Sequence, residues 1–151
     1  MLATEILTKD HKQALSLIEM LEVASDDTGS YADTFNQLEA ALQLHMCEEE
    51  EIYYPALAQH EEFEDIMDDS VAEHEMVKQM LAQMNELAPS SEEFQDLLAQ
   101  MKTALETHIA KEEEDIFPES IEVLGRGAIE TLGDEIEDLK SEGETGRAMN
   151  M

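Results

Sequence analysis

The chain has 151 residues, of which 38 are Asp or Glu and 8 are Lys or Arg, so its formal net charge at pH 7 is −30. This charge repels nucleic-acid phosphates and anionic lipid, and we expect neither nucleic acid nor membrane as a partner. The length suits a single domain with a real core, because 42% of the residues are hydrophobic. Bound cations are favoured by the same charge.

The sequence carries no signal for secretion or membrane insertion. Its single cysteine, Cys47, cannot form an internal disulfide, and the first residues, MLATEILTKDHK, lack the basic and apolar segments of a signal peptide. The longest apolar runs fall far short of the ~20 residues needed to cross a bilayer. We therefore predict a soluble, cytoplasmic protein.

Good helix formers dominate the chain, and the few Gly and Pro residues punctuate long helical patterns. A first helix is predicted from Leu2 to about Ala24 and is followed by the loop SDDTG. A capping signal at Ser30 to Asp33 begins a second helix, which Pro55 is expected to bend or end.

A third helix is predicted over roughly Asp65 to Leu87. A fourth begins at Ser90, which forms a capping-box pattern with Glu93, and runs to about Phe117. These assignments predict an all-α protein with four long helices.

An internal repeat relates the two halves of the chain. His11 and His74 are 63 residues apart, as are His45 and His108. The same offset relates further pairs: Glu49 with Glu112, Glu50 with Glu113, Glu51 with Glu114, Pro55 with Pro118, Leu42 with Leu105, and Ala41 with Ala104. We interpret this as a duplicated helix pair, in which one helix carries a single His and the next carries His and Glu.

The repeated residues predict a metal site. His45 and Glu49 are four residues apart, so they share one face of a helix, and His108 with Glu112 repeats this. Burying an imidazole and a carboxylate on an apolar face is costly unless a cation satisfies them. Four histidines and two glutamates fit two metal ions. Bridging carboxylates would leave room for a bridging oxide or hydroxide and a small exogenous molecule.

Mixed imidazole and carboxylate ligands favour iron, with manganese or zinc as substitutes. Cys47 lies two residues from His45 and from Glu49, so it points away from their face.

Simpler interpretations exist for each residue taken alone. A lone His on an apolar face is more often a core residue than a ligand. The acidic runs at 48–51 and 112–115 are expected to be mostly solvated, with only Glu49 and Glu112 facing inward. His60 breaks the repeat and is either a surface residue or a fifth imidazole. Tyr53, one turn after Glu49, is either a packing residue or a ligand.

The segments HMCEEEEIYYP and HIAKEEEDIFP, with KDH and AEHEMV, resemble the hemerythrin-like, or HHE cation-binding, family over residues 4–118. The resemblance implies an antiparallel, up-down four-helix bundle around a non-haem di-iron centre. It implies bridges from Glu49 and Glu112, and terminal ligands from His11, His45, His74 and His108. Ferritin-like proteins fit less well, because no histidine here has a Glu three residues before it.

One position departs from the oxygen-carrying hemerythrins. They have a second His one turn before the third-helix ligand, where this chain has Ser70. The acid of their last helix is Asp at a slightly different spacing. Simple reversible oxygen carriage is therefore not implied, and one coordination position is left to water, His60 or Tyr53.

The repeat stops after Pro118, which divides the chain into a bundle at 1–118 and a C-terminal part at 119–151. We expect a connector containing Gly125 and Gly127, a short amphipathic helix from about Ala128 to Lys140, and a mobile tail. This helix would either cover a face of the bundle or form a homodimer contact.

The expected function is binding or reduction of a small oxidant, namely dioxygen, hydrogen peroxide or nitric oxide, at a carboxylate-bridged di-iron centre. Similar family members act in oxygen binding, sensing, peroxide removal and repair of nitrosative damage. Two alternatives remain: a non-enzymatic iron or oxygen sensor or iron-handling protein, and a structural bundle without metal.

Overall fold

The structure, a computed structural model, describes the backbone of residues 1–23 and 28–149 and the side chains of residues 1–23 and 30–142. All regular elements in this part of the chain are helical, which confirms the predicted all-α bundle. Four long helices form it: α1 (Ala3–Val23), α2 (Thr28–Glu48), α4 (Glu64–Asn85) and α5 (Glu92–Lys111). The short helix α3 (Tyr54–Ala58) and a 3-10 turn (Glu61–Phe63) join the two halves.

The predicted helix boundaries were wrong at several ends. Helix α2 already begins at Thr28, before the capping signal expected at Ser30, and residues 24–27, where most of the predicted SDDTG loop falls, lie outside the described residues. The N-cap of α5 is Ser91 and not Ser90, because the Ser91 Oγ accepts a hydrogen bond of 3.2 Å from the backbone N–H of Phe94.

Both long helices of the His-Glu repeat continue through a π-helical turn. These turns, Glu49–Tyr53 and Glu112–Ile116, each begin at an inward-facing glutamate and end just before the short helices α3 and α6 (Phe117–Leu124). Pro55 and Pro118 lie at the first turn of those short helices, where a missing N–H is tolerated. Pro55 therefore does not end its helix, and the fourth helix continues past Phe117.

The core has two hydrophobic clusters, one on each side of a polar layer. One cluster is built by residues such as Ile18, Leu38, Leu81 and Leu98. The other contains the start of α1 together with α3, α6 and α7 (Arg126–Met149). His11 lies on α1 between Leu7 of one cluster and Ala14 of the other, so the polar layer is enclosed from both ends.

Helix α7 is longer than the predicted segment from Ala128 to Lys140. Gly125 separates it from α6 with a φ of 90°, a conformation that favours glycine. Ile129 and Ile136 are fully buried, and Gly133 packs on the backbone of residues 1–3, so α7 covers a face of the bundle. The backbone of the expected mobile tail is helical up to Met149, and residues 150–151 lie outside the described residues.

None of the helices in the described ranges combines the length and apolar character that a membrane span requires.

Candidate metal centre

The six residues predicted as ligands lie together in the polar layer, and none is more than 8% exposed. His11 Nε2 lies 3.1 Å from Glu112 Oε1, and His74 Nε2 lies 3.0 Å from Glu49 Oε1. The two chelating pairs also have the expected geometry. His45 Nε2 is 3.2 Å from Glu49 Oε1, and His108 Nε2 is 3.3 Å from Glu112 Oε1.

Two groups of ligand atoms can be distinguished within this layer. In what we call the first metal position, ligand atoms lie within 4.8 Å of one another; it contains His11, His45, Glu49 and Glu112. In the second metal position, the ligand atoms of Glu49, His74 and His108 also lie within 4.8 Å of one another. Glu49 belongs to both groups, and Glu112 Oε1 also approaches His108, as bridging carboxylates would.

The donor set fits metal ions. His45 Nε2 and Glu49 Oε2 are buried, and neither has a hydrogen-bond partner among the described residues. Imidazoles and carboxylates are the ligands that iron, manganese and zinc accept, and burial of these groups without such a cation is costly. Among the described residues, the groups of candidate metal ligands contain no cysteine, and Cys47 is half-buried outside them.

A second set of carboxylates orients the four imidazoles. His11 Nδ1 lies 2.7 Å from Glu113, and His45 Nδ1 lies 3.0 Å from Asp10. In the other half, His74 Nδ1 lies 2.7 Å from Glu50 and His108 Nδ1 lies 2.6 Å from Glu73. Carboxylates only accept hydrogen bonds, so each Nδ1–H donates and each Nε2 faces the site.

The acidic runs were therefore only partly predicted correctly. Glu49 and Glu112 do face inward, but Glu48 is also fully buried. Glu50 and Glu113 remain partly exposed and bind imidazoles from the opposite half of the bundle.

Electrostatics within the layer is dominated by the two central carboxylates. Burial disfavours a charged imidazole, but the negative charge of Glu49 and the hydrogen bond to Asp10 raise the pKa of His45 to about 10. Despite burial, hydrogen bonds to Glu112 and Glu49 raise the pKa of His108 to about 11. Without metal, these two imidazoles carry protons that a bound cation would displace.

Glu49 shows the complementary shift. Burial would raise its pKa, but the positive charge of His45 and the hydrogen bonds of Glu49 within the layer together hold the pKa well below its usual range.

The tyrosine at the site is Tyr54, and Tyr53 is a packing residue, which is the first of the two alternatives that the sequence left open. The Tyr53 hydroxyl lies 2.7 Å from Ser120 Oγ. The Tyr54 hydroxyl donates to Glu112 Oε2 over 2.6 Å and lies 3.1 Å from Glu49 Oε1. It also lies 3.3 Å from Nε2 of both histidines of the second metal position. Burial and the two glutamates raise the pKa of this phenol, so it is neutral without metal.

His60, which the sequence also suggested as an additional ligand, is half-buried. It belongs to none of the groups of candidate metal ligands among the described residues. Ser70, which stands where oxygen carriers have a histidine, is fully buried.

An apolar cavity of about 340 Å³ reaches the imidazoles from one side of the bundle. All four histidines of the layer line it, and most of its other lining residues belong to α4 and α5. Ala14, Met46, Val77 and Ala104 form part of its apolar wall. A small uncharged molecule can therefore reach the layer without crossing the charged surface.

The sequence profile of the hemerythrin HHE cation-binding domain matches residues 2–120, which are most of the chain. The chain belongs to this family. The HHE domain is also similar in fold to the crystal structure of an HHE cation-binding domain-containing protein from Mycobacterium kansasii. The TM-score is 0.77, with 24% sequence identity over 94% of this chain and 89% of the other.

A DNA nickase from a Nostoc species is 27% identical over 113 residues, which are 75% of this chain and 32% of that protein. The HHE domain therefore spans about a third of this relative.

Sequence reasoning missed Tyr54 and the outer carboxylates Asp10 and Glu73. The acidic residues had a signal, because each directly precedes a ligand histidine and they are 63 residues apart. No sequence signal pointed to Tyr54. In a regular helix the fourth residue after Glu49 would share its face, but the π turn places the fifth residue, Tyr54, over the site.

Proposed function

We propose that this HHE domain holds two iron ions and binds or reduces a small oxidant: dioxygen, hydrogen peroxide or nitric oxide. The observation that carries the proposal is the arrangement of the four imidazoles. Each directs Nε2 toward a buried carboxylate pair while its Nδ1 is held by an outer carboxylate. Such outer partners fix the ring orientation and raise the basicity of metal-binding histidines.

In this proposal, His11, His45, His74 and His108 are terminal ligands and Glu49 and Glu112 are bridges. Imidazole and carboxylate ligands without thiolate favour iron over a structural zinc ion. Bound iron would supply a redox centre and a Lewis acid.

The chain's own groups prepare the site for this chemistry. The mostly apolar cavity would admit an uncharged oxidant to the imidazoles. The Tyr54 hydroxyl, which donates to Glu112 Oε2, is a proton donor or an additional ligand within the second metal position. As a ligand, it would take the coordination position for which the sequence suggested water, His60 or Tyr53.

Metal analysis of protein expressed with iron tests the metal assignment. We expect about two irons per chain, from two groups of ligand atoms. His108→Ala should lose iron and thermal stability together, because metal binding is coupled to folding. His60→Ala is the matched control and should keep both. Full iron occupancy in His108→Ala would refute the ligand assignment.

Spectra of the iron-loaded protein under dioxygen and nitric oxide, with a peroxide-consumption assay, test the oxidant. Ligand-dependent spectral changes or peroxide turnover would support the proposal. An iron-loaded protein inert to all three molecules would refute it.

The second candidate function is a non-enzymatic iron or oxygen sensor. The observation that favours it is the contact between the layer and the C-terminal helix, since Lys140 of α7 binds Asp10, the partner of His45. Absence of turnover, together with metal-dependent protection of α7 from hydrogen exchange, would favour sensing. Unchanged protection would exclude it.

We propose no activity on DNA for this chain, despite the name of the Nostoc relative. That protein is about three times longer than the matched region, and the net charge of −30 opposes contact with phosphates. A cytoplasmic location and a homodimer stay predictions.

A further inference from the structure

The outer carboxylates of the two metal positions are held by different lysines. At the second position, Lys111 Nζ lies 2.9 Å from both carboxylate oxygens of Glu73, the partner of His108. The residue 63 positions before Lys111 is Glu48, so the first half of the repeat has a carboxylate where the second has a cation. Glu48 is fully buried and lies beside Asp10, the partner of His45.

The cation for the first position comes from outside the repeat. Lys140 Nζ on α7 lies 2.9 Å from Asp10 Oδ1 and 2.9 Å from Glu48 Oε2. The other oxygen of Asp10 accepts the hydrogen bond from His45 Nδ1. Lys140 therefore separates two neighbouring carboxylates and fixes the one that orients a ligand imidazole.

The packing of α7 brings Lys140 to this place. Ile129, Gly133, Ile136 and Lys140 follow one face of α7, at helical spacing. The two isoleucines are fully buried, and Gly133 allows the helix to touch the N-terminal backbone. The position of Lys140 is thus set by core packing and not by a flexible surface contact.

We propose that Lys140 is a positioning residue for the first metal position, so that the C-terminal helix completes one metal site and makes the two sites inequivalent. This inference rests on the proposed metal-binding function. Without Lys140, the Asp10 carboxylate would lose the cation that fixes Oδ1, and it would be free to turn away from the His45 ring. Loss of such an outer partner lowers metal affinity by about 10- to 100-fold.

The test is cobalt(II) binding, measured by calorimetry and visible absorption, in two single-site backgrounds. His74→Ala leaves the first metal position intact, and His11→Ala leaves the second. Lys140→Met should weaken cobalt binding by about 10- to 100-fold in the first background and by less than about 2-fold in the second. Lys111→Met should show the reverse pattern. Lys140→Arg should restore binding, because its guanidinium can reach both carboxylates.

The direction of the change in cobalt affinity distinguishes a positioning role of Lys140 from a purely electrostatic effect of its charge. Removing a cation near a metal site would tighten metal binding if Lys140 acted only through its charge. Tighter binding, equal losses in both backgrounds, or no loss in either would overturn the inference while leaving the metal-binding function intact. A wild-type chain that binds no cobalt or iron would overturn both. Circular dichroism of each metal-free variant must match the wild type, and Lys140→Gln, which also removes the cation, provides the test if Lys140→Met is unfolded.

Discussion

The close contact of α7 with the N-terminus gives a stability prediction at Gly133. An alanine Cβ there would lie 2.0 Å from the carbonyl oxygen of Met1 and 2.9 Å from the backbone nitrogen of Ala3. Contacts below 3.0 Å are essentially never seen for Cβ atoms, so one backbone must move by about an ångström. Such overpacking costs about 1–3 kcal/mol. The higher helix propensity of alanine offsets at most about 1 kcal/mol of this cost.

We therefore expect Gly133→Ala to lower the free energy of unfolding by about 1–2 kcal/mol in urea titrations of the metal-free protein. Gly127→Ala is the matched control, because nothing lies within 4 Å of its Cβ in the same helix. It should be neutral or stabilising by up to about 1 kcal/mol. Equal stability of the two variants would refute the described packing of α7 on the first residues.

Three further predictions concern the site. The metal-free protein should lose stability as the pH rises from about 7 to 10. The pKa of His45 is raised to about 10 in the folded protein, so protonation of this imidazole stabilises the fold below the pKa of the unfolded chain, and this contribution is lost as the imidazole deprotonates. The urea midpoint should therefore fall with pH in the metal-free protein but not in the iron-loaded protein, and a flat metal-free profile would contradict the ion-pair account. Tyr54→Phe should change the visible spectrum of iron-loaded protein and Tyr53→Phe should not; unchanged spectra in both would show that the phenol stays off the metal. Ala104→Leu should slow nitric oxide binding by about tenfold in stopped-flow measurements by narrowing the cavity, whereas Ala99→Leu on the exposed face of α5 should not; equal rates would exclude this entry route.

Helical spacing and the internal repeat predicted the inward-facing residues of the layer because those residues lie in regular helix or at the first residue of a π turn. Helical spacing drew attention to Tyr53 and not to Tyr54, because a π turn begins at Glu49 and shifts every later residue by one place. Pro55 marked this region in the sequence, but a proline alone does not distinguish a bend from a π turn.

Contacts between distant helices were beyond sequence reasoning for another reason. Asp10 is one residue from His11 in sequence but binds His45, and Glu73 beside His74 binds His108. Which imidazole an acid reaches depends on how neighbouring helices are aligned, and periodicity within one helix does not specify that alignment. Lys140 lies beyond the repeat, so its partners were not predictable from the duplication.

Departures from the repeat decide how the two metal positions differ. Tyr54 stacks on His74 at a centroid distance of 5.3 Å, and Phe117, 63 residues later, stacks on His11 at 5.9 Å. The second position thus has a hydroxyl beside its proposed ligands, while the first has an aromatic ring without one. We therefore expect an exogenous molecule to bind at the first position, where no side chain of the described residues competes.

Phe117→Tyr would place a hydroxyl at the first position in the same way that Tyr54 does at the second. It should weaken nitric oxide binding to the iron-loaded protein by about tenfold, which corresponds to about 1.4 kcal/mol. Iron content should stay unchanged, because the six proposed ligands are retained. Undiminished nitric oxide affinity at full iron occupancy would refute the assignment, since it would mean that the oxidant does not approach on the side of the Phe117 ring.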